Sequence, residues 1–99
     1  MDVFPKFIIE GNNLILSKVT YHRDIVTEKE KVKGGGWFKF EDDCFTFYGT
    51  SDEFGSVNVE DVKRCVKNDC VFTNYMLIYS IANKFKFKYD TGTEIININ

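Results

Sequence analysis

The sequence is poor in proline and cysteine and contains no long apolar run. One proline among 99 residues excludes a proline-rich linker or tail. Three cysteines form neither a CxxC nor a CxxH pattern, which argues against a zinc site. We interpret Cys44, Cys65 and Cys70 as reduced, buried thiols of a cytoplasmic protein. No stretch approaches the roughly 18 apolar residues of a membrane span, and the N-terminus lacks the pattern of a signal peptide.

Neither sign of charge dominates the chain. The 13 basic and 15 acidic residues are interspersed and give a net charge of −2, so the strongly basic balance of a nucleic-acid-binding domain is missing. Hydrophobic residues make up 43 % of the sequence, and ten phenylalanines supply large side chains for a core. The length suits one domain, and we expect residues 1–99 to form it.

Alternating apolar and polar residues predict a sheet of several strands. The strands are expected at residues 6–10, 14–21, 37–40, 44–48, 70–73, 84–89 and 94–98, and residues 76–81 are interpreted as one more. In residues 84–89 three lysines alternate with three aromatic side chains. This pattern is typical of a half-buried strand, here interpreted as a sheet edge that lysines protect from further pairing.

One helix is predicted, over residues 58–67. Asn58 is a typical N-cap, and two acidic residues follow in the first turn. Four apolar side chains between Val59 and Val66 recur at helical spacing and form one face. The fold class is therefore α+β: a small single domain in which this main helix packs on a mixed or antiparallel sheet.

Few residues are candidates for chemistry. His22 is the only histidine. Two glycine-bearing segments, residues 34–36 and 49–55, have the composition of loops that present backbone N–H groups to an anion, although neither has a P-loop or dinucleotide-binding pattern. Ser51 lies in no nucleophile-elbow pattern. Adjacent acidic residues on a strand point to opposite faces, so a paired-carboxylate site is not indicated.

The order of these segments is informative. Tyr-His-X-Asp-Ile at residues 21–25 is followed by Gly-Gly-Gly at 34–36, by an aromatic strand pair ending in Tyr-Gly-X-Ser at 48–51, by Phe-Gly, and then by a helix. Over residues 18–73 this order resembles the phosphohistidine phosphatase (Janus/Ocnus) family. The resemblance implies a small domain with a mixed sheet flanked by helices. It also implies a cofactor-free hydrolase that removes phosphate from phosphohistidine, in a phosphorylated protein or a small phosphoramidate.

The resemblance implies roles for single residues. His22 matches the catalytic histidine, a general base or phosphate acceptor. Ser51, Asp52 and Glu53 match the loop that holds the phosphate through backbone N–H groups and the serine hydroxyl. For the family's lysine on the first strand, Lys18 is the nearest candidate, and Arg23 is a substitute for it. The glycines that bring the chain close to the phosphate are Gly34, Gly35, Gly36, Gly49 and Gly55.

The sequence also departs from the family's pattern. Trp37 stands where the animal enzyme has an arginine, and the acidic Asp52 and Glu53 stand where its loop is uncharged. These departures favour an alternative: a non-catalytic module of the same fold that binds an anionic or phosphorylated ligand or a protein partner. A third interpretation is an interaction domain that pairs a partner's strand with residues 84–89. We expect no metal, no nucleic acid and no membrane among the partners. The short spacer after His22 predicts that the family's helix there is reduced or absent.

Overall fold

The alternating segments form a single sheet in the computed structural model, which describes residues 4–73 and 76–96. Its strands are β1 (Phe4–Glu10), β2 (Asn13–Val19), β3 (Val32–Glu41), β4 (Cys44–Tyr48), β5 (Val71–Thr73), β6 (Lys84–Lys88) and β7 (Thr93–Ile96). Two helices, α1 (Val59–Lys67) and α2 (Met76–Ile81), and two 3₁₀ turns, His22–Asp24 and Lys29–Lys31, complete the described elements. The segment after His22 therefore contains 3₁₀ turns in place of a longer helix.

The sheet is mixed. Its strand order is β5-β2-β1-β3-β4-β6-β7, with parallel pairing at β2–β5 and β4–β6 and antiparallel pairing elsewhere. Each parallel pair is joined by a long connection that contains α1, as parallel neighbours require. The radius of gyration is 12.3 Å, close to the value of about 13 Å for a compact domain of this length. The predicted α+β domain with one main helix is confirmed.

One face of the sheet carries the core. The buried apolar cluster consists of Phe7, Ile9, Leu14, Leu16, Phe38, Phe45, Phe47, Val62, Cys65, Val66, Val71, Phe85, Phe87 and Ile96. The predicted apolar face of α1 supplies three of these residues. Asn58 caps this helix, because its side-chain oxygen accepts a hydrogen bond of 2.9 Å from the Glu60 N–H. Two of the three free thiols are buried as expected, and Cys70 is half-buried at the margin of the core.

The prediction of a strand at residues 76–81 is wrong, because this segment is α2. Tyr79 and Ala82, three residues apart, pack against the core, whereas Ile81 is exposed. The Tyr79 ring contacts those of Phe45 and Phe85 at centroid distances of 5.7 and 5.1 Å. A short apolar run is compatible with either a buried strand or a helix, so its periodicity does not distinguish the two.

The alternation in β6 is confirmed, but its predicted position at the sheet edge is wrong. Phe85 and Phe87 are buried, and the flanking Lys84 and Lys88 are exposed. β7 pairs with β6 on the side away from β4, so both sides of β6 are hydrogen-bonded and neither is open to a partner's strand. In the described ranges no helix is both long enough and apolar enough to cross a membrane.

Candidate functional site

Residues 20–31 cross the second face of the sheet and bury part of it. Beneath them Ile8 has no exposed surface. The Glu10 carboxylate accepts hydrogen bonds from the Thr27 N–H at 2.9 Å, the Thr27 hydroxyl at 2.5 Å and the Glu28 N–H at 3.1 Å. Burial would raise the pKa of this carboxyl, but the hydrogen bonds together hold it below its ordinary value. We call residues 20–31 the strap, and Glu10 fastens it to the sheet.

Within the strap, a 3₁₀ turn presents His22 to the sheet. The Tyr21 N–H donates to the Asp24 carboxylate at 3.1 Å, and the Ile25 N–H donates to the His22 carbonyl at 3.0 Å. The aspartate of the Tyr-His-X-Asp-Ile motif thus closes the turn on which the histidine lies. As a result the His22 residue is only 6 % exposed.

Glycines in β3 allow the histidine ring to lie against the sheet. A Cβ at Gly35 would lie 3.0 Å from Cδ2 of His22 and 2.7 Å from the Phe7 carbonyl oxygen. The next carbonyl, that of Gly36, accepts a hydrogen bond from His22 Nε2 at 2.7 Å. On its other side the imidazole meets the Trp37 indole edge to face, with ring centroids 5.0 Å apart.

These contacts set the protonation state of His22. A carbonyl oxygen only accepts, so Nε2 carries the proton in the bond to Gly36 and the lone pair of the neutral ring lies on Nδ1. Burial lowers the pKa of His22 below its ordinary value of 6.5. The bond to Gly36 and the carboxylates of Asp52 and Glu53 oppose this shift, while the Lys6 ammonium adds to it, and the pKa stays lowered. His22 is therefore neutral at neutral pH.

The second ring nitrogen of His22 is not occupied by a hydrogen bond to the described protein. Nδ1 of His22 makes no hydrogen bond with any described residue. Yet no buried side-chain nitrogen or oxygen in the described ranges lacks a hydrogen-bond partner. Nδ1 is therefore accessible to solvent although most of the ring is buried. It carries an unshared electron pair that is available to a ligand.

His22 lines a cavity of about 370 Å³, a size at the lower end for ligand pockets. The lining residues are Lys6, Thr20, Tyr21, His22, Arg23, Trp37, Asp52 and Glu53. Four residues predicted for the site from the sequence, His22, Arg23, Asp52 and Glu53, thus meet around one space.

The charges around this cavity balance. Arg23 stacks on the Tyr21 ring, 4.2 Å from its centroid, and its guanidinium lies 3.9 Å from the exposed Glu53 carboxylate. Burial lowers the pKa of the Lys6 ammonium, and the Asp24 carboxylate partly offsets that shift. With the exposed Asp52 carboxylate, the wall has two basic and two acidic side chains beside a neutral imidazole.

Ser51 holds its loop onto β3 and does not line the cavity. Its N–H donates to the Gly35 carbonyl at 2.9 Å, and its hydroxyl oxygen accepts from the Phe54 N–H at 3.1 Å. Gly55 closes the loop through hydrogen bonds with Ser51 and Gly35. Gly49 lies under the Trp37 indole, where a Cβ would approach Cε3 to 2.6 Å. The N–H groups of Asp52 and Glu53, at the cavity wall, form no hydrogen bond with the described residues.

The lysine at the cavity is Lys6 rather than Lys18. Lys18 pairs with Pro5, and the next pair along the hairpin is Lys6 with Ser17. Because side chains alternate along a strand, Lys18 projects from the core face and Lys6 from the face that the strap covers. The ammonium of Lys6 donates to the Val19 carbonyl at 2.8 Å. The sequence reasoning missed Lys6 and Thr20; the register of the first hairpin is the signal that identifies Lys6.

Among residues 4–73 and 76–96, no group of three or more His, Cys, Asp and Glu side chains is arranged to hold a metal ion. Comparison of the chain with protein-family models, with curated proteins and with solved structures found no match.

Proposed function

We propose that the chain is a hydrolase of the phosphohistidine phosphatase type, with His22 as the group that attacks phosphorus or activates water. The observation that carries the proposal is a neutral imidazole at the cavity wall whose Nε2 donates to the Gly36 carbonyl and whose Nδ1 has no hydrogen-bond partner among the described residues. A neutral histidine with one nitrogen fixed and the other free is suited to nucleophilic or general-base chemistry.

Two routes are compatible with this geometry. In the first, the Nδ1 lone pair attacks phosphorus, the P–N bond of the substrate breaks, and the leaving nitrogen takes a proton from solvent; water then cleaves the phosphorylated His22. In the second, Nδ1 takes a proton from a water that attacks phosphorus and returns it to the leaving nitrogen. In both, one water is consumed and one amine and one phosphate are released. The Lys6 ammonium and the N–H groups of residues 52 and 53 would hold the phosphoryl oxygens.

The balance of charges supports a second candidate function. Asp52 and Glu53 offset Lys6 and Arg23, so the cavity lacks the surplus of positive charge that would stabilise the transition state of phosphoryl transfer. In addition, the Ser51 N–H is committed to the Gly35 carbonyl. A non-catalytic module that binds a phosphorylated or anionic ligand would need the cavity but not the reactivity of Nδ1.

Phosphate release from a phosphohistidine peptide tests the proposal. We expect His22→Ala to lower kcat by about 100-fold or more, the usual contribution of a positioned base or nucleophile. Because only the neutral ring reacts, the rate of the natural protein should fall on the acid side, below the ordinary histidine pKa of 6.5. Lys6→Gln should lower kcat/KM by about tenfold, equivalent to about 1.4 kcal/mol.

Lys18→Gln is the matched control, because it removes the same charge from the opposite face of the same hairpin. It should leave phosphate release unchanged. Release that is equal in the natural protein and in His22→Ala would contradict the proposal. Binding of the phosphopeptide without release by either protein would favour the non-catalytic module.

A further inference from the structure

The part of the second sheet face that the strap leaves uncovered is rich in lysine. Lys39 and Lys86 flank Thr46 across three neighbouring strands, and Lys84 and Lys88 lie two residues to either side of Lys86 on β6. Paired residues share a face, so all four lysines project from the side opposite the core. Three of them are exposed and Lys86 is half-buried. We call Lys39, Lys84, Lys86 and Lys88 the lysine face.

The side chains of the lysine face are not neutralised by ion pairs in the part of the chain that the structure describes. Of the ion pairs formed within residues 4–73 and 76–96, none includes any of these four side chains, whereas Lys31, Lys33 and Lys63 each pair with a carboxylate. Glu41 and Asp42 line one hollow together with Lys39, Lys84 and Lys86, but they form no ion pair with these lysines. On a chain with a net charge of −2, this is a local concentration of positive charge. A partner whose charge complements this surface is therefore anionic.

The lysine face is continuous with the cavity. Lys6, Trp37, Tyr48 and Lys88 occupy one row across β1, β3, β4 and β6. Neighbouring strands are about 4.8 Å apart, so three spacings place Lys88 about 14 Å from Lys6. An extended peptide covers that distance in about four residues. A bound peptide that places one side chain in the cavity therefore reaches the lysine face with residues about four positions further along its sequence.

We propose that the lysine face binds an acidic, extended polypeptide segment next to the phosphorylated residue that enters the cavity. This inference rests on the proposed function. The proposed function names the bond that is cleaved, and the inference names the class of protein that carries this bond. Lys84, Lys86 and Lys88 repeat every 6.6 Å or so along β6, the spacing of alternate side chains in an extended peptide. Aspartate or glutamate at alternate positions would therefore meet one lysine each.

The geometry favours a peptide over a nucleic acid. The positive surface is short: Glu41 and Asp42 lie at one end, and Asp52 and Glu53 lie beyond Trp37 at the other. A long polyanion would run into these carboxylates at both ends. The Trp37 indole is packed against Gly49 and His22, so it is not a free platform for stacking bases.

Binding of an unphosphorylated probe tests this proposal without any turnover. The probe is a short fluorescein-labelled peptide in which glutamate alternates with threonine, followed by fluorescence anisotropy at low salt. We expect the natural protein to bind it, and the affinity to fall as salt is added, because the charges are exposed. The double variant Lys39→Gln/Lys86→Gln should bind about tenfold more weakly.

The control is Lys29→Gln/Lys67→Gln, which removes two exposed lysines elsewhere and the same total charge. Equal weakening in both double variants would overturn the proposal, since net charge alone would then explain binding. No binding to the natural protein would also overturn it. A single-stranded RNA oligonucleotide could also bind more tightly than the acidic peptide and lose that binding in Lys39→Gln/Lys86→Gln. This result would overturn the proposal and indicate a nucleic-acid partner.

Failure of the proposed function would give a different pattern. The His22→Ala protein should bind the acidic probe as the natural protein does, because the lysine face lies outside the cavity. If the probe binds but no phosphate is released from a phosphohistidine peptide, the docking surface stands and the hydrolase does not. If phosphate is released but the probe does not bind, the hydrolase stands and the docking surface does not.

Discussion

Gly35 determines how closely the His22 ring approaches the sheet. Its missing side chain leaves room for Cδ2 of the imidazole on one side and for the Phe7 carbonyl beside it. Without this space, Nε2 would not reach the Gly36 carbonyl at 2.7 Å, and the proton would not be fixed on that nitrogen. The triple glycine thus has a specific purpose that its conformational freedom alone does not explain.

Gly35→Ala should therefore destabilise the protein and displace the histidine. The added Cβ would lie 2.7 Å from a backbone oxygen, which has little freedom to move. We expect a loss of about 1–3 kcal/mol in the free energy of unfolding, typical of an overpacked site. Urea denaturation measures it. Gly92→Ala is the matched control, because a Cβ there meets nothing within 4 Å. Equal stability of the two variants would refute this role for Gly35.

At the residue scale, the sequence motifs named residues that lie together in the structure, but they did not show which face of the sheet a strand residue occupies. The motif around His22 and the loop around Asp52 were identified, and the structure brings them to one cavity. Lys18 was selected as the nearest lysine along the chain. The one-residue register difference between Lys18 and Lys6 sends their side chains to opposite faces of the sheet.

At the scale of an element, one carboxylate makes three of the hydrogen bonds that hold the strap on the sheet. Glu10 accepts three hydrogen bonds from the strap, and a glutamine has only one acceptor oxygen. We expect Glu10→Gln to lower the free energy of unfolding by about 2–3 kcal/mol, since hydrogen bonds to a charged group are the stronger ones. Amide hydrogen exchange over residues 20–31 should accelerate at the same time.

Exposed Glu41, on β3 in the same sheet, provides the control variant Glu41→Gln, which should change neither quantity. Because the folded pKa of Glu10 is lowered, its contribution is complete above the ordinary value of 4.5 and is lost as pH falls through the lowered value. Unchanged exchange of the strap in Glu10→Gln would show that other contacts hold it.

A strand or helix was predictable from the sequence where its apolar pattern was long or where a capping residue marked its start. The strict alternation of β6 and the Asn58 cap of α1 each identified an element correctly. The six residues of α2, five of them apolar, gave no such signal, and its helical form follows from packing against Phe45 and Phe85. The interior position of β6 depends on β7, a later strand, and no local pattern reports the order of strands in a sheet.

At the scale of the whole molecule, the two sheet faces have separate roles. The helices and the buried phenylalanines fill one face, while the other carries the strap, the cavity and the lysine face. An overall charge of −2 conceals this arrangement, because the four lysines of the lysine face, on β3 and β6, come together only in the folded chain. Composition excluded a strongly basic domain but could not reveal a local basic surface.

The chain contains a single histidine, so one spectrum tests the central claim about His22. The measurement is nitrogen NMR on protein labelled only at histidine, recorded across a pH titration. We predict a neutral ring at neutral pH with its proton on Nε2, and a pKa below 6.5. A pKa at or above 6.5 would contradict the account, because burial would then not lower it. A proton on Nδ1 would also contradict it, because the lone pair would then lie on Nε2, against the Gly36 carbonyl.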